Sequence, residues 1–270
     1  MYDNEPKSIG RYVSPPEKMT FRTPSGIVID FSKKINPLTQ PFEEKHVEWR
    51  IGKAFYGETE QQNSYLLLAY LDARAVQRRL DEIFTPFGWR DEYRQEGSGF
   101  VCRLCVLING MWVCKENGSS ETNMEAYKGG ISSAFKRVAS SGFGIGRYLY
   151  NLGDTWADHT YDKVGAKEKG YVNRSYDSKI KKAVLFRTPQ LGAMFLPTPP
   201  DLIEKLRSEI MELGNDDDLH AGIISKPNEV LNSIIKKNDV SSLDMLLYGQ
   251  WKSAMDFVVG LKRMEENESD

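Results

Sequence analysis

Ser132, Ser133, Lys136 and Arg137 lie within one short stretch, and Arg147 follows shortly after it. Lysine and arginine neutralise phosphate, and serine hydroxyls donate hydrogen bonds to phosphate oxygens without adding charge. In a helix, Ile131, Ala134, Phe135, Val138 and Ala139 form an apolar stripe. Lys128, Ser132, Ser133, Lys136, Arg137 and Ser140 then lie on or near the other face. Phe143, Tyr148 and Tyr150 are close in sequence, and Tyr65 and Tyr70 come earlier. Cations interleaved with aromatic rings suit a single-stranded nucleic acid, because charge holds the backbone and stacking is indifferent to base identity.

Other motifs in the chain suit other chemistry less well. Gly142-Phe-Gly-Ile-Gly-Arg147 has glycines at every second position after a helix, whereas a dinucleotide loop follows a strand and precedes a helix. It reads as a glycine-rich helix terminus. Cys102 and Cys105 are three apart on a strand and point to opposite faces, so they do not share a metal ion, and all three cysteines read as core thiols. Asp154, Asp158, His159 and Asp162 offer ligands for a divalent ion and hence nuclease chemistry. No second acidic constellation accompanies them, and solvated charge is the default. His46 and His220 are isolated from any nucleophile motif. No cofactor, metal or covalent nucleophile is required.

The chain of 270 residues carries a net charge of −2, which at first counts against a nucleic-acid partner. The total is a cancellation. Residues 127–187 hold 12 basic and 5 acidic groups, whereas residues 201–270 hold 8 basic and 15 acidic ones. A local field of +7 attracts phosphate, while an acidic segment of −7 solvates or binds a partner. A hydrophobic fraction of 40% excludes collagenous and wholly disordered classes. No apolar run reaches the ~20 residues of a membrane span, and the three cysteines fit a reducing compartment, so a cytoplasmic location is expected.

The elements that must position these groups follow from periodicity. Residues 1–41 contain Pro15, Pro16, Pro24, Pro37 and Pro41, and read as an extended arm with a short strand at Gly26–Phe31. Residues 69–84 have a helical period, with Asp72 as N-cap and with Pro86 and Gly88 as stops. Trp89–Arg94 reads as a strand. Asn109-Gly110 between two β-rich runs supplies both positive-φ positions of a type I′ turn, so Phe100–Cys114 is a hairpin. Residues 124–141 return to helix, and Lys182–Arg187 reads as a strand. The expected fold is α+β: a three-stranded antiparallel sheet packed on a long helix, a β-β-β-α core. Pro197, Pro199 and Pro200 mark a boundary. It separates a domain of residues 42–200 from an acidic, mostly helical region of residues 201–270. There the segments 201–213, 227–237 and 241–264 read as helices.

Three ordered blocks carry a resemblance. Ala69–Trp89, the hairpin, and Lys128–Tyr150 resemble the Rad-fifty-two/Rad-twenty-two family of single-strand annealing proteins. The lead-in Pro41-Phe42 through Val47-Glu-Trp-Arg50 is most similar to its bacteriophage branch, sometimes called Sak. The resemblance implies homo-oligomeric rings or filaments and ATP-independent pairing of complementary DNA strands, as used in recombination and double-strand break repair. It places the family's Lys-Arg pair on Lys136 and Arg137, a hydroxyl on Ser132, a tyrosine on Tyr70, and an upstream cation on Arg50 or Lys53. Lys128 and Arg147 support them. Ser140 stands where eukaryotic members carry a further arginine, and Arg147 or the basic stretch 163–182 substitutes for it. A host single-strand-binding protein is a candidate partner of the acidic region. A metal-dependent nuclease and an RNA- or DNA-binding module without annealing activity are the competing classes.

Overall fold

The computed structural model describes residues 19–120, 126–213 and 227–269. In chain order these form β1 (Thr20–Arg22), β2 (Val28–Asp30), β3 (Val47–Phe55), β4 (Ser64–Leu71), α1 (Ala73–Phe84) and β5 (Trp89–Glu96). Then come β6 (Gly99–Ile108), β7 (Met111–Ser120), α2 (Ala126–Phe143), β8 (Thr155–Trp156), β9 (His159–Thr160), β10 (Asn173–Asp177) and β11 (Lys182–Phe186). Three helices follow: α3 (Pro200–Met211), α4 (Pro227–Asn238) and α5 (Tyr248–Ser269). The first part of the expected arm and the acidic stretch Gly214–Asp218 lie outside the described residues.

The architecture is α+β, with several antiparallel sheets and five helices among the described residues. Asn109 and Gly110 have φ of 50° and 76°, the left-handed values a two-residue hairpin turn needs. They set Ile108 opposite Met111, and β5, β6 and β7 form one antiparallel sheet. On β6 the even-numbered residues Phe100, Cys102, Leu104, Val106 and Ile108 belong to the core, as do Ala134, Phe135, Val138 and Ala139 of α2. This sheet and this helix account for part of the expected fold.

The same hairpin register corrects the cysteine reading. Counting back three residues on each strand from the turn brings Cys105 opposite Cys114. The two form a disulfide with Cα atoms 4.0 Å apart, and only Cys102 is a buried thiol.

Two further three-stranded sheets were not expected: β3-β4-β8 and β10-β11-β9. Consequently the helix expected from Ala69 begins at Ala73. Ala69, Tyr70 and Leu71 instead pair with Trp49, Glu48 and Val47 as the end of β4. The helical spacing through Ala69 and Ala73 was coincidental, because strand alternation over residues 64–71 puts apolar groups on both faces. Asp72 occupies the N-cap position with extended backbone but makes no side-chain cap. Within α1, Ala75, Val76, Leu80, Ile83 and Phe84 are buried, each large side chain contributing on the order of 2 kcal/mol. Thr85, at φ 61°, and Pro86 end the helix.

Buried residues form two separate cores. The first runs from Ile29 to Leu191 and includes Ile29 and Leu38 of the proline-rich N-terminal segment, both fully buried. The second is confined to α3, α4, α5 and the turns beside them, from Ile203 to Val258, with Ile35 packed against its edge. Lys33–Asp239 at 2.8 Å, Gln40 donating to the Asp244 carbonyl, and a Pro197–Leu247 bridge link the two.

Candidate nucleic-acid interface

Burial of the apolar face of α2 leaves Ser133, Lys136 and Arg137 facing the edge of the β3-β4 sheet. The Lys136 ammonium stands 4.9 Å from the centroid of the Tyr70 ring, and the Arg50 guanidinium 5.8 Å from the same ring. These residues line one cleft of about 420 Å³, together with Ser119 of β7, Ser140 of α2, and Ile145, Gly146, Leu149 and Tyr150 beyond it. Tyr70 reaches the cleft because it is the last outward residue of β4. Arg50 reaches it because it lies two pairs along β3 from Tyr70, opposite Leu68, and so on the same face.

A bulge decides where Lys53 falls. The register of β3 against β4 slips between Ile51 and Lys53, around Gly52. The extra residue returns Lys53 to the face that carries Arg50, where regular alternation would have put it on the other. Glycine leaves room there, since a Cβ at position 52 would sit 2.5 Å from Leu68 Cγ and displace that exposed side chain. Lys53 then rests its ammonium 4.7 Å from the Phe55 ring, further along the sheet than the cleft.

The other expected residues take distinct places. Ser133 lines the cleft, while Ser132 is not among its lining residues. Arg147 donates to the carbonyls of Ser140 and Ser141, which closes the open end of α2 and sets its guanidinium beside the serine turn. Lys128 is exposed in the first turns of α2, roughly 12 Å along the axis from Lys136. Ser119 and Gly146 were missed as lining residues. The hairpin register, extended to Phe100–Ser119, was the available signal for the first.

The electrostatics of the cleft favour an anion. Burial, reinforced by Arg50, pushes the Lys136 ammonium below its ordinary value, with Glu48 and Asp72 opposing. A phosphate in the cleft would relieve this strain on the charged form. Burial and the Glu48 carboxylate push the Tyr70 hydroxyl up to about 12, so its ring stays neutral.

Two of the aspartates that offer metal ligands, Asp158 and Asp162, have other partners. Asp158 pairs with Arg187 at 3.3 Å and accepts from the Tyr171 hydroxyl, and Asp162 accepts from the Val164 amide in its own turn. His159 is edge-on to Tyr65 at 4.8 Å. Among the described residues no three His, Cys, Asp or Glu side chains gather as a metal site. A second cleft of about 420 Å³ lies between Phe42 and Pro197–Pro200. Its Arg79 is spent on the carbonyls of Pro37 and Gln40, and Glu43, Glu82 and Asp244 also line it.

An antiparallel β-hairpin sheet backed by a long helix, with a cationic, aromatic cleft at its side, places the chain in a defined class. It belongs to the Rad52/22 family of double-strand break repair proteins, whose profile matches residues 30–168, just over half of the chain. Two curated relatives are both described as the single-stranded DNA-binding protein DdrA. That of Deinococcus radiodurans is 39% identical over 132 residues, 48% of this chain and 61% of the relative. That of Deinococcus deserti is 33% identical over 121 residues, 44% of this chain and 57% of the relative. The chain thus spans about three fifths of the length of these relatives. No solved structure matches it significantly. No helix among the described residues is long and apolar enough to cross a membrane.

Proposed function

We propose that this protein binds single-stranded DNA in the Arg50–Tyr70–Lys136–Arg137 cleft and anneals complementary strands without ATP, in recombination and double-strand break repair. The observation that carries the reading is convergence. Cations from β3 and α2 meet over one tyrosine ring of β4, although α2 is far from both strands in sequence. Family membership and two relatives described as single-stranded DNA-binding proteins support it. Lys136 and Arg137 hold the sugar-phosphate backbone, Arg50 adds a third cation, and Ser133 fixes register. Lys128 and Lys53 extend the track on either side. Arg147, held beside Ser140, substitutes for the arginine that other members carry at that turn. The protein works as a ring or filament of the phage-recombinase type, so that cleft follows cleft around the assembly.

The chemistry is non-covalent. Neutralised phosphates lower the repulsion between two strands, and backbone contacts leave the base edges free to pair. The test is fluorescence annealing of complementary oligonucleotides without ATP, beside Lys136→Ala/Arg137→Ala. Wild type should accelerate pairing at low salt. The double variant should lose most of that rate, and the slope of log affinity against log salt should fall by about 1.4, for two phosphate contacts on a single strand. Equal pairing by the double variant would sink the mechanism. Preference for RNA would favour a binding module, and magnesium-dependent loss of label would favour a nuclease.

A further inference from the structure

The solvent-facing side of β3-β4-β8 has an unusual composition. One face of an antiparallel sheet is normally polar. Here β4 presents Leu66 and Leu68 outward, opposite Lys53 and Arg50, and β8 presents Trp156 opposite Leu66. Leu68 is 46% exposed, Phe55 39% and Trp156 50%. The rings of Phe55 and Trp156 lie 5.3 Å apart, tilted at 54°, and the Lys53 ammonium rests on the Phe55 ring. Exposed large apolar groups in contact with one another are informative in a way that scattered ones are not.

The two kinds of side chain run in lanes. β3 carries the cations Arg50 and Lys53 with Phe55 beyond them, and β4, about 4.8 Å away, carries the apolar Leu66 and Leu68 between β3 and Trp156 of β8. A single strand of nucleic acid has the same division, with phosphates along one side and bases along the other. The apolar lane starts at Tyr70 in the phosphate cleft and ends at Trp156, four residues or about 13 Å along β4.

We infer that Phe55 and Trp156 form a base-stacking platform that continues the phosphate cleft, with Lys53 holding the phosphate of the stacked nucleotide. This rests on the proposed single-stranded DNA binding and assigns the part of the surface that grips bases. Stacking on these rings is tolerant of sequence, since every base has a π-face. Arg50 and Lys53 on the same face make this surface complementary to a polyanion.

The test compares the full chain's affinity, by fluorescence anisotropy, for a labelled oligothymidylate and for an abasic oligonucleotide of the same length. Wild type should prefer the oligothymidylate about tenfold. Phe55→Ala/Trp156→Ala should erase the preference while keeping the abasic affinity and the salt slope, and Trp156→Phe should restore most of it. Lys136→Ala/Arg137→Ala should instead weaken both ligands alike. A preference that survives loss of both rings overturns the platform. So does equal binding of the two ligands by wild type, which leaves the phosphate cleft standing. If the ring variant changes only its oligomeric state in light scattering, with the preference intact, a second copy of the chain covers this face and the platform is wrong. Failure of wild type to bind either ligand removes the cleft reading and the platform with it.

Discussion

Asp177 shows what one side chain does for the basic segment of the chain. Its carboxylate is buried and accepts from the hydroxyls of Tyr65 and Tyr56 and from the amides of Lys179 and Ile180. Burial works against its charge, but the donors outweigh burial and hold it below the ordinary carboxylate value. Asp177 therefore fastens the β10-β11 hairpin to the β3-β4 sheet. Asp177→Ala should destabilise the protein by about 3 kcal/mol in urea unfolding at neutral pH, because it strands donors that the carboxylate now satisfies. A depressed folded-state pKa means that the stabilisation is complete above the unfolded value of about 4 and is lost as pH falls through the folded one. The gap between wild type and variant should accordingly narrow in acid.

At the scale of elements, the cleft depends on how α2 ends. Gly146 lies at φ 73° where the chain turns from the helix towards Tyr150, and a Cβ there would stand 2.5 Å from Leu71 Cδ1. Gly146→Ala combines left-handed strain with crowding of the last β4 residue. It should cost about 2 kcal/mol in thermal unfolding and weaken single-stranded DNA binding. Gly153→Ala, where nothing lies within 4 Å of the added Cβ, is the matched control and should be near neutral. Equal effects of the two substitutions would remove the argument. The hairpin and α2 were legible because the Asn-Gly turn and the helical stripe are local signals. β3 and β4 were not, since the loop between them carries no Asn-Gly turn and β4 is apolar on both faces. The bulge at Gly52 leaves no mark in periodicity, yet it decides on which face Lys53 lies.

Across the whole molecule, the negative and positive segments occupy different places. The cores of α3, α4 and α5 form their own cluster, joined to the family domain through Ile35, Lys33 and Pro197. None of the residues lining the Arg50–Lys136 cleft comes from these helices. The described part of the acidic region therefore leaves the cleft open and acts on it only through its long-range field. A chain ending at residue 196 carries net charge +5. It should bind single-stranded DNA at least as tightly as the full chain at low salt, by anisotropy, and converge with it as salt screens the difference. A large loss of affinity with retained secondary structure would show that the helices contribute directly.

The sequence by itself determined the charge division, the hairpin, the long helix and the Lys136–Arg137 pair, because each rests on neighbours within a few turns or a single loop. Its resemblance to a family of annealing proteins was carried by the same blocks. The tertiary structure alone decided that Arg50 and not Lys53 lines the cleft, that Ser133 lines it in place of Ser132, and that Phe55 finds Trp156. Those meetings depend on strand register and on a bulge, which are settled by side chains distant in sequence filling one core.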